Sequence, residues 1–245
     1  MKLKDRVALI TGGARIGQAV ASALADRGTH LALTYRTSKS SAEEVAAFAR
    51  ARGRRVLLIK TDLTLNKNIA DTISQVKHTF GQLDILVNMA STFDQKPLIK
   101  LTAKDWEHGL GTNLHHVYQL SLEAAKLMKK NRYGRIINFS DWAAASHRPR
   151  YTDLAPYYVA KAGVSAVTEV LALGLAPDIL VNAIAPGPIL APPKLTKKEH
   201  REVIQATPLK RWGGSDEIAK AVVFLIESNF ITGECIRVDG GRHLY

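Results

Sequence analysis

The sequence predicts an α/β fold, a single doubly wound domain over residues 1–245 with a central parallel β-sheet flanked by helices. Three observations predict it. Short apolar runs and amphipathic helical patterns alternate from end to end. No linker or internal repeat interrupts that alternation. A glycine-rich turn closes the first apolar run and opens a helical pattern.

Val7-Ala8-Leu9-Ile10 is a run of the kind buried on both faces of a parallel sheet. It breaks at Thr11-Gly12-Gly13-Ala14-Arg15-Ile16-Gly17, and Val20 and Leu24 carry a helical pattern on to Gly28. His30 to Tyr35 reads as the second strand and Ser41 to Arg52 as a helix. Arg55 to Lys60, Asn66 to Phe80 and Leu83 to Val87 continue the strand, helix, strand order, which stops at Asn88. Helical patterns cover Ala103 to Leu110 and Asn113 to Asn131, and Gly134 to Ser140 contains the next strand. A helix carrying Tyr157 runs to about Leu175, with Pro156 suited to its first turn. Ile179 to Ala183 is the sixth strand, followed by a proline-rich loop from Pro186 to Lys194. A polar helix from Thr196 to Gln205, a long helix from Ser215 to Glu227 and a strand from Cys235 to Val238 complete the chain.

Hydrophobic residues make up 46% of the chain, enough for a proper core. The net charge of +12 raises the question of nucleic acid, but the cations are scattered over Arg52 to Arg55, Lys129 to Arg132, Lys194 to Arg201 and Lys210-Arg211. No aromatic residues interleave with them as stacking platforms, so a solvated basic surface with a general pull on anionic ligands is expected, and no nucleic-acid partner. The single cysteine, Cys235, cannot form an internal disulfide, which fits a reducing cytoplasm. The N-terminus lacks a signal-peptide pattern and no apolar run approaches a membrane span, so a soluble cytoplasmic protein with no membrane partner is expected. No metal site is expected.

In a sheet of this kind ligands bind beyond the carboxyl ends of the strands. The glycine turn can present backbone amides and a helix N-terminus to a pyrophosphate, a weak signal that gains weight from its place after the first strand. The second strand ends in Tyr35-Arg36-Thr37-Ser38, without the Asp or Glu that would accept ribose hydroxyls. Arg36 offers a guanidinium suited to phosphate, and Arg15 in the glycine turn offers a second cation, so NADPH is expected over NADH. Tyr157 and Lys161 are four residues apart and share a helix face. An ammonium beside a phenol favours the phenolate and moves its pKa toward neutrality, as a general acid needs. The same spacing also describes two exposed residues that merely share a face.

Taken together, Thr11-Gly12 with Gly17, Asp62, Asn88-Met89-Ala90-Ser91, Asn113, Tyr157 with Lys161, Pro186-Gly187 and Asp239-Gly240-Gly241 resemble the short-chain dehydrogenase/reductase family over essentially the whole chain. The resemblance implies a Rossmann-type domain, with Tyr157 as proton donor and Lys161 binding the nicotinamide ribose while lowering the Tyr157 pKa. Asn113 would hold a water in the proton relay. The cofactor-binding residues would be Gly12, Arg15, Ile16, Gly17, Arg36, Thr37, Asp62, Leu63, Asn88, Ala90, Lys161, Pro186 and Gly187. Asp62 would contact the adenine, and Pro186-Gly187 would flank the nicotinamide. A homotetramer through the helices near Asn113 and Tyr157 is implied as well.

The chain departs from the family pattern at three places. Asp141 falls where the catalytic serine usually follows the fifth strand, with Ser140 one residue earlier. Together with Ala90-Ser91-Thr92-Phe93, this resembles the pteridine reductase branch, in which Ser91 would contact a pterin and Phe93 would stack on it. The glycine turn is one residue short, and the interval from Asp141 to Tyr157 is long, its surplus lying in His147-Arg148-Pro149-Arg150-Tyr151 beside the expected substrate mouth. The expected activity is NADPH-dependent reduction of a pterin or folate-like small molecule, with Asp141 catalytic or orienting and a loop at about 188–210 closing over the substrate. The alternatives are reduction of a ketone, a sugar or a 3-oxoacyl thioester, with Ser140 in place of Asp141, or an NADPH-binding sensor without turnover.

Overall fold

The computed structural model describes residues 2–12, 14–193 and 195–245, so Met1, Gly13 of the glycine turn and Lys194 of the proline-rich loop lie outside the described residues. Seven strands form one parallel sheet: β1 (Val7–Thr11), β2 (His30–Tyr35), β3 (Val56–Lys60), β4 (Ile85–Asn88), β5 (Gly134–Phe139), β6 (Ile179–Pro186) and β7 (Cys235–Val238). Their spatial order is β3-β2-β1-β4-β5-β6-β7. The chain therefore winds outward in one direction from β1 and then in the other from β4, and the crevice between the two is the switch point at which such sheets bind ligands.

Nine helices accompany the strands among the described residues: α1 (Ile16–Asp26), α2 (Lys39–Arg50), α3 (Asn66–Phe80), α4 (Ala103–Leu110), α5 (His116–Met128), α6 (Trp142–Ala145), α7 (Ala155–Leu175), α8 (Lys197–Gln205) and α9 (Ser215–Glu227). Alternation along each strand fills two cores. Ala8 and Ile10 of β1, with Ile85 and Val87 of β4, pack toward the face covered by α1 and α9. Val7 and Leu9, with Leu86 and Ile136, pack toward the face covered by α3, α5 and α7. Leu86 is wholly buried, and truncating it to alanine would cost about 2–5 kcal/mol.

Two expectations are corrected. The helix expected over 113–131 begins later, because Gly111–His115 form a wider π turn in front of α5. The expectation that no apolar run approaches a membrane span also fails, since α7 is long and apolar enough to cross a membrane by length and composition. Here one face of it packs on the sheet, while Val159, Val170 and Leu173 are exposed. Its buried residues Pro156, Ala160, Lys161, Val164, Thr168 and Leu171 recur every three or four positions, and it packs on β5 and β6.

Candidate active site

Two of the cavities along the carboxyl edge of the sheet hold the candidate residues. The smaller, about 200 Å³, lies beyond β2 and β3 and is lined by Gly12, Arg36, Thr37, Asp62, Leu63 and Ala90, among others. The larger, about 870 Å³, lies beyond β5 and β6. Its walls include Arg15, Ile16, Gly17, Ser91, Phe93, Ser140, Asp141, Tyr157, Lys161, Pro186 and Gly187. The structure thus brings nearly all the sequence-predicted residues onto one continuous cleft.

The smaller cavity has the features of a nucleotide cradle. Gly12 has φ of +72°, and a Cβ there would come within 2.9 Å of the Ala90 amide nitrogen, so only glycine lets the turn sit this close to β4. Thr11 Oγ1 accepts from the Met89 and Ala90 N–H groups, at 3.0 Å each, and fixes the far wall. Asp62 accepts from Thr64 N at 3.0 Å and Thr64 Oγ1 at 2.8 Å, and these bonds hold its carboxyl below the usual range. Arg36 is exposed and makes no ion pair within 4 Å among the described residues, leaving its guanidinium available to a phosphate. The residues present fit a nicotinamide dinucleotide.

Sequence reasoning missed His116 in this wall. It is buried, Nε2 has no hydrogen-bond partner, and burial first and the Lys161 charge second push its pKa down to about 4. No local signal marks it, because its burial depends on the π turn and on β4. Arg15 and Asn88 sit elsewhere than expected. Arg15 Nη2 donates to Ala191 O at 3.1 Å on the side of the larger cavity, so it braces the 190–191 loop and does not join Arg36. Asn88 borders neither cavity; it is buried in the sheet and donates to Ser121 Oγ at 3.1 Å and Asn138 Oδ1 at 2.9 Å.

In the larger cavity β5 ends at Phe139, so Ser140 turns inward and Asp141 turns toward the opening. Ser140 Oγ donates to Lys161 O at 2.8 Å and meets Ser165 Oγ at 3.2 Å, which ties the strand end to α7. Asp141 caps α6, accepting from Ala143 N at 2.8 Å, and its other oxygen accepts from Tyr157 Oη at 3.3 Å. Lys161 is buried, donates from Nζ to Phe139 O at 2.8 Å and lies 5.7 Å from the Tyr157 ring centroid. Phe93 meets the Tyr157 ring edge-on at 5.0 Å.

Burial governs the charges here. It raises the Asp141 pKa despite the opposing hydrogen bonds and the Lys161 charge. It lowers that of Lys161 to about 8. It raises Tyr157 well above the usual phenol value, with the Asp141 charge and hydrogen bond adding to the rise. The Tyr157 pKa thus rises where a shift toward neutrality was expected: the carboxylate contacts the hydroxyl directly, whereas the ammonium is turned to a backbone carbonyl. The Asn113 side chain is likewise occupied, since Oδ1 accepts from Ser91 Oγ at 2.5 Å and Thr92 N at 3.1 Å while Nδ2 donates to Gly109 O at 2.9 Å.

A family model described as enoyl-(acyl carrier protein) reductase matches residues 13–243. The 3-oxoacyl-(acyl-carrier-protein) reductase FabG of Haemophilus influenzae is 35% identical over 248 residues, covering 99% of this chain and 100% of that protein. The Escherichia coli K12 protein of the same name is 33% identical over 250 residues, with both chains covered completely. Among solved structures, a short-chain dehydrogenase/reductase from Serratia marcescens BCRC 10948 superposes with a TM-score of 0.91 at 32% identity, covering 99% of this chain and 100% of that one.

These likenesses correct the expected pterin or folate-like substrate, because the relatives are named for 3-oxoacyl reduction and dehydrogenation and not for pteridine reduction. The geometry of Asp141 agrees: both its oxygens are engaged within the protein, one by α6 and one by Tyr157.

Proposed function

The chain belongs to the short-chain dehydrogenase/reductase family and is a nicotinamide-dependent oxidoreductase, and from that premise we propose that it is an NADPH-dependent carbonyl reductase. Its leading substrate class is a 3-oxoacyl thioester, with ketones and sugars as alternatives within the same chemistry. One observation carries this reading: Tyr157 Oη meets the Asp141 carboxylate in the wall of the larger cavity, with Lys161 buried behind them.

NADPH bound along the cleft would supply the hydride. Arg36 and Thr37 would hold the additional phosphate, Asp62, Leu63 and Ala90 would border the adenosine, and the turn at Gly12, Ile16 and Gly17 would receive the pyrophosphate. Lys161 would bind the nicotinamide ribose, and Pro186 and Gly187 would flank the ring. Tyr157 donates its proton to the carbonyl oxygen as negative charge develops there. Asp141, next to that hydroxyl, disfavours the phenolate and so keeps the acid protonated at neutral and mildly alkaline pH. Ser140 is a positioning residue, because its hydroxyl is bonded to the Lys161 carbonyl. The 188–210 segment, with α8 inside it, closes over the substrate; Arg15 already links the glycine turn to it at Ala191. A cytoplasmic homotetramer joined through α5 and α7 completes the proposal.

The test is NADPH oxidation with a 3-oxobutyryl thioester, a simple ketone and a sugar compared side by side. The proposal expects turnover of at least one, with the thioester foremost. Tight NADPH binding with no turnover of any would instead identify a sensor.

A further inference from the structure

We propose that the mouth of the larger cavity contains an anion-binding subsite, formed by Arg242 and Arg150 about the Trp142 indole, which selects carbonyl substrates bearing a carboxylate or phosphate. This deepens the carbonyl-reductase reading and rests on it. Trp142 follows Asp141 directly and is buried. The Arg242 guanidinium lies 5.6 Å from its ring centroid and that of Arg150 lies 5.9 Å from it. Both are within reach of a cation–π contact. Arg242 shares the cavity wall with Asp141, Trp142 and Tyr151, so its charge faces the space where substrate must lie.

The arrangement is braced from two sides. Asp239 is buried and accepts from Gly241 N at 3.0 Å, His243 N at 2.9 Å and the His243 ring at 2.7 Å, which fixes the C-terminal turn that carries Arg242. That turn sits hard against the cavity: a Cβ on Gly187 would come within 2.4 Å of Asp239 Cβ. From the other side, Arg148 Nη1 donates to His243 O at 3.3 Å and Arg237 Nη1 to Ala145 O at 2.9 Å. The first bond ties the long 146–153 segment to the C-terminal turn and the second ties α6 to β7, and segment and turn each set one arginine beside the Trp142 ring.

The balance of charge decides what such a mouth accepts. Among the described residues, neither Arg150 nor Arg242 makes an ion pair within 4 Å. Of the acids nearby, Asp141 is bonded to Ala143 and Tyr157, and Asp239 to its own turn. Asp153 is the remaining acid facing Tyr151. Those bonds leave the three carboxylates charged, but Arg148, Arg150, Arg237 and Arg242 outnumber Asp141, Asp153 and Asp239, so this rim is positive. Elsewhere the cavity is lined by Glu199 and Glu202 of α8. A substrate with an anionic end is therefore oriented toward Arg242 and away from α8, which brings its carbonyl to Tyr157. A planar guanidinium beside an indole suits bidentate pairing with a carboxylate or a phosphate.

The test uses three probes: the neutral N-acetylcysteamine thioester of 3-oxobutyrate, the same acyl group on 4′-phosphopantetheine, and a 3-oxodicarboxylic acid monoester. Preference for the second identifies the phosphate of a carrier arm as the anion, and preference for the third identifies a carboxylate on the acyl chain. Arg242→Met is expected to lower the anionic-to-neutral ratio of kcat/KM by about 10- to 100-fold, the cost of one charge-assisted contact. Arg242→Lys should recover part of that ratio, Arg150→Met should lower it less, and added salt should compress it. An unchanged ratio in Arg242→Met overturns the subsite. Binding of the carboxylate probe and its neutral diester to the NADP+-loaded protein separates the two levels of the proposal. Anion preference in binding without turnover of any probe refutes the carbonyl reading alone, and turnover without anion preference refutes the subsite alone.

Discussion

On the β2–β3 side of the cleft, hydrogen bonds from Thr64 hold the Asp62 carboxyl below its usual range, and Arg36 stands in solvent. On the β5–β6 side, burial holds the Asp141 carboxyl above that range, lowers Lys161 to about 8 and raises Tyr157. The first region stabilises charge and the second penalises it. A nucleotide site needs fixed charges that recognise a permanently anionic ligand, and turn amides and an exposed guanidinium provide them. A proton-transfer site needs groups whose charge can change during the reaction, and groups removed from water and set against one another meet that need.

The largest expected effect breaks the second region outright. Tyr157→Phe removes the proton donor while leaving the nucleotide cradle intact, so turnover should fall by about 10²- to 10⁴-fold with NADPH affinity retained. Steady-state kinetics and fluorescence titration of NADPH check the two halves of that statement, and retained activity would refute the assignment. Arg36→Asp acts on the first region alone. It should shift the NADPH-to-NADH preference in kcat/KM by about 10- to 100-fold toward NADH. No shift would show that the extra phosphate is held elsewhere.

A smaller effect sharpens the contrast through stability. The unfolded Lys161 keeps its proton up to about 10.5, whereas the folded one releases it from about 8. Between those values the unfolded chain binds more protons, so wild-type stability attributable to this group rises with pH, and its cost is complete below about 8. Lys161→Met should therefore be more stable than wild type at pH 7, by about 1–4 kcal/mol. That advantage should shrink as pH climbs from 8 to 10.5, which thermal melts across the range can check.

The fold was legible because its signals are local. The run Val7-Ala8-Leu9-Ile10, the glycine turn after it and the Tyr157-Lys161 spacing each lie within one element, and the observed β2, α3, α4, α9 and β7 match the ranges read from periodicity. The limits of the reading lie where chemistry depends on contacts distant in sequence. The α6 helix is a single turn too short to show a period, yet it claims one Asp141 oxygen. Ser140 and Asp141 are adjacent, and only the end of β5 decides that one faces α7 and the other the cavity. His116 and the Arg242–Trp142 contact arise from pairings that sequence spacing does not display. The pterin expectation failed for a related reason: the residue type at Asp141 suggested a substrate contact, but both its oxygens have partners within the protein.

The measurement that tests the account most directly is the pH profile of kcat/KM for carbonyl reduction in wild type and Asp141→Ser. The Asp141 charge and its hydrogen bond raise the Tyr157 pKa, so removing them lowers it. Lys161 loses its proton from about 8, and the Asp141 charge raises that value too. The loss of activity at alkaline pH, whichever of the two groups it reports, should then begin at a lower pH in the variant while carbonyl turnover persists. An alkaline limb that stays in place or moves upward would contradict the account, because Asp141 would not be setting the protonation of Tyr157 or Lys161.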